Sequence, residues 1–88
     1  MRVVIRKQTW SIVSQVQDGE SGFCDHEGER GQPMTIGIRS GLGELEELDT
    51  TIHEALHAAY PDISEDAIGE TATDLARLLL ARGFGRVS

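Results

Sequence analysis

Residues 45–75 read LEELDTTIHEALHAAYPDISEDAIGETATDL, and this stretch decides how the chain folds. From Leu45 the apolar residues recur at helical spacing, which predicts a helix that ends at Pro61. These apolar positions are Leu48, Ile52, Ala55, Leu56 and Ala59. A second helix is expected from about Ser64 to Arg82, and Gly83 is suited to its C-terminal cap.

Both predicted helices begin near residues that can cap them. Ser40 can cap the first helix, whose first turns carry glutamates that the helix dipole favours. Just after Pro61, Asp62 and Glu65 have the D-x-x-E spacing of a capping box, and Asp66 lies in the same first turn. These three carboxylates are therefore expected to have local structural roles.

The N-terminal part of the chain is rich in β-branched residues and predicts strands. Two strands are expected at Arg2–Arg6 and Thr9–Val16, followed by a glycine-rich loop over residues 17–33. Residues Met34–Arg39 alternate between apolar and polar side chains, which predicts a half-exposed strand. The predicted fold class is therefore α+β, with about three N-terminal strands followed by two helices in a single small domain, residues 1–88.

The helix in the deciding stretch carries a metal-binding pattern. His53 and His57 are four residues apart, so their rings project from the same side of the helix, with Glu54 beside them. A catalytic zinc site uses three protein ligands and leaves the fourth position to water. No histidine or cysteine follows His57. The third ligand must then be a carboxylate from the second helix.

Two carboxylates remain after the capping residues are set aside. Glu70 and Asp74 are one helical turn apart and border a stripe of largely apolar residues: Ala67, Thr71, Leu75 and Leu78. Carboxylates that border an apolar stripe need a partner. The sequence therefore favours one Zn²⁺ per chain, held between the two helices.

The H-E-x-x-H pair together with the downstream G-E-x-x-x-D (residues 69–74) resembles the gluzincin branch of the zincin metallopeptidases, represented by the thermolysin-like enzymes. The resemblance implies these roles: zinc ligands His53, His57 and Glu70, general base Glu54, and Asp74 as hydrogen-bond partner of His53. The whole chain is also similar to small zincin-like proteins encoded by phages and bacteria. A minimal, single-domain zincin fold is expected.

The function implied by this resemblance is hydrolysis of peptide bonds by a zinc-activated water, with Glu54 as the base. Tyr60 is a candidate to stabilise the oxyanion, the alternative being a core residue with its hydroxyl at the surface. The strand Met34–Arg39 is a candidate edge strand for the substrate backbone, the alternative being an ordinary interior strand. The alternative function is a zinc-stabilised, non-catalytic module that binds a partner protein.

A short cluster in the glycine-rich loop combines residues with metal affinity: Cys24, Asp25, His26 and Glu27. It could supply an extra ligand, a second metal site or a thiolate for the open zinc position. The alternative is a solvated acidic loop.

The charge and the cysteine content limit the expected binding partners and the expected cellular compartment. The formal net charge is −7, and residues 41–76 contain ten acidic and no basic side chains. This field attracts cations and basic segments of a peptide or protein substrate and disfavours nucleic acid. Cys24 has no internal disulfide partner, and neither a signal peptide nor a membrane-length apolar run is visible, so a soluble cytoplasmic protein is expected. No pattern indicates an oligomeric state.

Overall fold

A computed structural model describes residues 1–29, 31 and 33–85, and it has the predicted α+β class. The described elements are four strands and two helices: β1 (Arg2–Ile5), β2 (Gln8–Val13), β3 (Gly22–Asp25), β4 (Thr35–Ile38), α1 (Glu44–Ala59) and α2 (Glu65–Ala81). Among these residues no helix is long and apolar enough to cross a bilayer.

The strands form one mixed sheet in the order β1-β2-β4-β3. A tight turn joins β1 to the antiparallel β2, and its residues Arg6 and Lys7 both have positive φ. β2 pairs with β4 in parallel, and β4 pairs with β3 antiparallel. The first two predicted strands are confirmed, although the second ends at Val13 instead of Val16.

The third strand in chain order, β3, lies inside the segment that was predicted to be a loop. That prediction was wrong because β3 is only four residues long and its sequence, Gly-Phe-Cys-Asp, does not alternate between polar and apolar residues. Tertiary packing stabilises it instead. The Phe23 ring packs directly against the backbone of Gly37 on β4, where a side chain would collide with it.

The strand predicted at Met34–Arg39 is confirmed as β4, but its predicted half-exposed position is wrong. β4 lies between β2 and β3, and Thr35, Ile36 and Gly37 are all buried. The interior alternative is therefore correct, and β3 is the edge strand on this side of the sheet.

The core forms where α1 packs on one face of the sheet. Trp10 is fully buried there, against Ile36 and Ala58. The other packing partner of α1 is α2, and α2 makes no comparable contact with any strand. Helix α1 is thus the central layer, covered by the sheet on one side and by α2 on the other.

The ends of the helices correct two of the predicted caps. Gly43, not Ser40, is the N-cap of α1, and α1 ends at Ala59 ahead of Pro61 as predicted. Ser64 is the N-cap of α2, since its Oγ accepts a hydrogen bond from the Ala67 amide at 3.2 Å. The capping box expected from Asp62 is therefore wrong, because α2 begins only at Glu65.

The C-terminal end of α2 follows the prediction. Gly83 has φ +90°, its amide donates to Leu80 O, and the Phe84 amide donates to Leu79 O. This pair of bonds is a Schellman motif, which satisfies carbonyls that the helix itself leaves without donors.

The buried face of α2 differs from the predicted stripe. Ile68, Ala72 and Ala76 are buried and face α1, whereas Leu75 and Leu78 are exposed. Small alanine side chains let the two helix backbones approach closely, so packing selects this face over the leucine face. Because a different face of α2 packs on α1, the remaining side chains of α2 also point in directions other than those that the predicted stripe implied.

We predict opposite effects on stability from two glycine substitutions. Gly37→Ala should lower the free energy of unfolding by about 1–3 kcal/mol, because the added methyl group collides with Phe23. Gly69→Ala, in the interior of α2 with open space at its Cβ position, should raise it by about 0.5–1 kcal/mol. Urea titrations with unchanged m-values measure both effects. A Gly37→Ala protein as stable as the wild type would contradict the packing of β3.

Candidate metal centre

The two histidines of the motif converge as the helical spacing predicts. His53 and His57 lie one turn apart on α1, and their Nε2 atoms are 3.2 Å apart. Both side chains are half-buried, with 23% of their surface exposed. Their rings are inclined at 57°, so both Nε2 atoms point toward a common position instead of stacking.

Glu65 completes the cluster from the first turn of α2. Its Oε1 lies 2.8 Å from His53 Nε2, and its Oε2 lies 2.8 Å from His57 Nε2. All three residues offer a ligand atom within 4.8 Å of the others, and no other such group of three forms among the residues that the structure describes. The carboxylate thus spans the two imidazoles.

These separations fit a small tetrahedral cation. Ligand atoms at 2.0–2.1 Å from a zinc ion lie about 3.3 Å apart in a tetrahedral arrangement. The nitrogen–nitrogen distance of 3.2 Å is close to this value, and the two nitrogen–oxygen distances of 2.8 Å are slightly shorter. Two neutral imidazoles and one carboxylate are also the ligand set of catalytic zinc sites such as that of thermolysin. The residues present therefore fit Zn²⁺.

The structure does not bring Glu70 and Asp74 to the histidines. Both are exposed on α2. Glu65 continues the face of Ile68 and Ala72 that packs on α1, whereas Glu70 is about 140° further around the helix and Asp74 about 180°. Because that face is buried against α1, Glu65 occupies the position that the resemblance implied for Glu70, and Asp74 is directed away from His53.

Glu54 lies beside the cluster in a very different environment from Glu65. Only 9% of Glu54 is exposed, and it lines the same cavity as His53 and His57. The edge strand passes directly over it, because a Cβ at Gly22 would lie 3.2 Å from Glu54 Cγ. A half-enclosed carboxylate next to a metal position is the arrangement that a general base requires.

The cavity at the cluster has a volume of about 360 Å³ and opens to solvent. Helix α1, the start of α2 and the edge strand β3 form its walls. The residues that line it besides the cluster and Glu54 are Gly22, Phe23, Cys24, His26 and Pro61. Gly22 allows β3 to lie close to α1, since a Cβ at this position would lie 2.7 Å from Thr50 Cγ2 and from Gly37 O.

Cys24 and His26, from the cluster for which the sequence suggested an extra ligand or a thiolate at the open zinc position, both line this cavity. Cys24 Sγ lies 3.8 Å from His26 Nδ1, and the His26 ring packs edge-on against Trp10. Asp25 Oδ1 accepts hydrogen bonds from the amides of Gly28 and Glu29, which orders the turn after β3. Burial and the nearby Glu54 and Asp25 raise the pKa of the Cys24 thiol to about 12, so it is protonated.

Tyr60 lies outside this cavity. It is the C-cap of α1 and 44% exposed, and the guanidinium of Arg6 lies 4.8 Å from the centre of its ring. Arg6 Nη1 also donates to Ala59 O. These contacts hold Tyr60 at the helix end, and the described cavity lining does not include it.

One sequence signal could have identified Glu65. Ile68, Ala72 and Ala76 recur every four residues along one face of α2, and residue 65, three positions before Ile68, lies on the same face. The expectation of a capping role obscured it. Because Ser64 provides the cap of α2, the Glu65 side chain is not needed for capping and can reach the histidines.

Comparison of the chain with protein-family models, with curated proteins and with solved structures finds no match to any of them.

We predict that zinc binding depends on Glu65 and not on Glu70. Wild-type protein should bind one zinc per chain. Glu65→Ala should weaken the zinc affinity by more than about 100-fold, because losing a residue that only hydrogen-bonds to a ligand already costs up to about that much. Glu70→Ala is the matched control on the same helix and should bind zinc normally. Native mass spectrometry with competition from a chelator measures both. The reverse ranking would contradict the cluster.

We predict that the Cys24 thiol of the metal-free protein reacts slowly with iodoacetamide. With its pKa raised from 9.0 to about 12, the thiolate fraction at pH 8 should be roughly a thousandfold below that of the denatured chain. The rate should rise about tenfold per pH unit until the pH reaches that value. Glu54→Gln removes one cause of the shift and should speed the reaction. Equal rates for folded and denatured chains would contradict the burial of Cys24.

Proposed function

We propose that this protein is a zinc-dependent peptidase. The observation that carries the proposal is the convergence of His53, His57 and Glu65 on one position, with the buried Glu54 in the same cavity. A structural zinc site is normally closed by four protein ligands, whereas three ligands beside an open cavity are typical of a catalytic one. The proposed reaction is hydrolysis of a peptide bond.

Bound zinc would lower the pKa of its water and polarise the substrate carbonyl. Glu54 would take the proton from the attacking water and deliver it to the leaving nitrogen. Its burial supports this role, because a carboxylate with restricted access to solvent transfers the proton to the substrate and not to bulk water. His53, His57 and Glu65 would hold the ion, and the packing of α2 on α1 would keep their geometry.

The substrate backbone would lie along β3 and not along β4, which is an interior strand. β3 pairs with β4 on one side only, so its other edge offers main-chain donors and acceptors beside the cavity. An extended peptide can add to such an edge through backbone hydrogen bonds. We therefore propose β3, instead of the strand at 34–39, as the strand that binds the substrate backbone.

The acidic charge of both helices supports a peptide substrate over a nucleic acid. Residues 41–76 carry ten acidic and no basic side chains. Polyphosphate would be repelled from this surface, whereas a basic peptide would be attracted. A reducing compartment such as the cytoplasm suits the single cysteine, Cys24, which stays a free thiol in the structure.

A second candidate function is a zinc-stabilised module that binds a partner protein. The outer face of α2 favours it, because Leu75, Leu78 and Phe84 are exposed at 38%, 55% and 58%. Exposed apolar side chains grouped near one helix are typical of interaction surfaces. In this case zinc would stabilise the packing of α2 on α1 without performing chemistry.

We predict that Glu54→Gln separates these two functions. The variant should retain one zinc per chain and should lose at least about 100-fold in peptide cleavage, because general-base catalysis contributes about 10²–10⁴-fold. The assay uses zinc-loaded protein and a mixed peptide library with mass-spectrometric readout.

Gly69→Ala, which alters α2 away from the cavity, is the control variant and should cleave at the wild-type rate. Cleavage that survives in Glu54→Gln would contradict Glu54 as the base. A wild-type protein that binds a partner protein but cleaves no peptide would favour the binding module instead.

A further inference from the structure

A second cavity adjoins the first along helix α1. Its volume is about 200 Å³, and it shares Gly22, His53 and Glu54 with the cavity at the metal centre. Its other walls are Ser21, Asp49 and Thr50. The two adjoining cavities lie between β3 and α1 and are together called the groove, with His57 and Glu65 at one end and Asp49 at the other.

Asp49 is the charged group that the second cavity adds to this groove. It is half-buried and lies one helical turn before His53, so both side chains face the same side of α1. Thr73 Oγ1 on α2 donates to Asp49 Oδ2 at 2.7 Å. This bond holds one carboxylate oxygen and fixes the orientation of the group, while the side chain still lines the cavity.

The protein supplies no cation to Asp49 from the described part of the chain. Residues 41–76 contain no basic residue, and Arg77, the basic residue of α2, is exposed and forms no ion pair with Asp49 in the described part of the chain. Elsewhere in the fold, Arg6 donates to Ala59 O, and Arg39 donates to the carbonyls of Glu20 and Gln17. A half-buried carboxylate in a groove is thus left to pair with a cation from outside.

We propose that the cavity at Asp49 is a specificity subsite that binds a lysine or arginine side chain of the peptide substrate. The inference rests on the proposed peptidase function, since it places the subsite within the same groove. A metal ion fits less well, because the described residues form no second group of three ligands there. The alkyl part of a lysine side chain would lie along Thr50, with its ammonium group at Asp49.

The distance along the groove sets which substrate residue enters the subsite. Asp49 precedes His53 by four residues, which corresponds to about 6 Å along a helix. An extended peptide advances about 3.3 Å per residue. The basic side chain therefore belongs to a substrate residue within about two positions of the cleaved bond.

The test measures peptide binding separately from cleavage. Zinc-loaded Glu54→Gln protein is titrated with two fluorescent peptides that differ only in one residue, lysine or glutamine. The lysine peptide should bind roughly five- to tenfold more tightly, and adding Asp49→Asn should remove that preference. Asparagine preserves the acceptor for Thr73, so the fold should be retained. Wild-type cleavage of the same pair should show the same preference in kcat/KM.

The matched control is Asp66→Asn, an exposed residue of α2 that changes net charge equally. It should retain the lysine preference, which separates a local contact from the general acidic field. Equal binding of the two peptides, binding of neither, or loss of preference in both variants would overturn the subsite. An Asp49-dependent preference without any cleavage by the wild type would support the subsite and contradict the peptidase function instead.

Discussion

The close packing of α2 on α1 is the contact on which the proposed site depends. Ile68, Ala72 and Ala76 form the buried face of α2, and α2 has no comparable contact with the sheet. This face continues to Glu65, so the same contact that buries the alanines brings the carboxylate to the histidines. A change in the packing of α2 on α1 would therefore also move Glu65 relative to the two histidines.

Metal binding and folding should stabilise each other in this arrangement. Residues 41–76, which cover α1 and most of α2, carry ten acidic and no basic side chains, and Glu65 is the carboxylate that bridges the two helices at the histidines. A divalent cation there offsets some of the repulsion between the helices and links the start of α2 to α1. In a chain of 88 residues, a bound metal is a sizeable addition to a small core.

Much of the fold and part of the site could be predicted from the sequence, because they rest on local spacing. The convergence of His53 and His57 follows from helical geometry alone. The choice between Glu65 and Glu70 does not, since it depends on which face of α2 packs against α1. Strand β3 was missed for a similar reason: Phe23 on Gly37 is a long-range contact that no four-residue pattern contains.

The central claim is that His53, His57 and Glu65 bind one zinc ion, and anomalous diffraction at the zinc edge tests it most directly. The measurement uses crystals of zinc-loaded wild-type protein and locates the ion without reference to activity. We predict one anomalous peak about 2.0–2.2 Å from both Nε2 atoms and from a Glu65 oxygen. A peak coordinated by Glu70, or no peak within reach of His53 and His57, would contradict it.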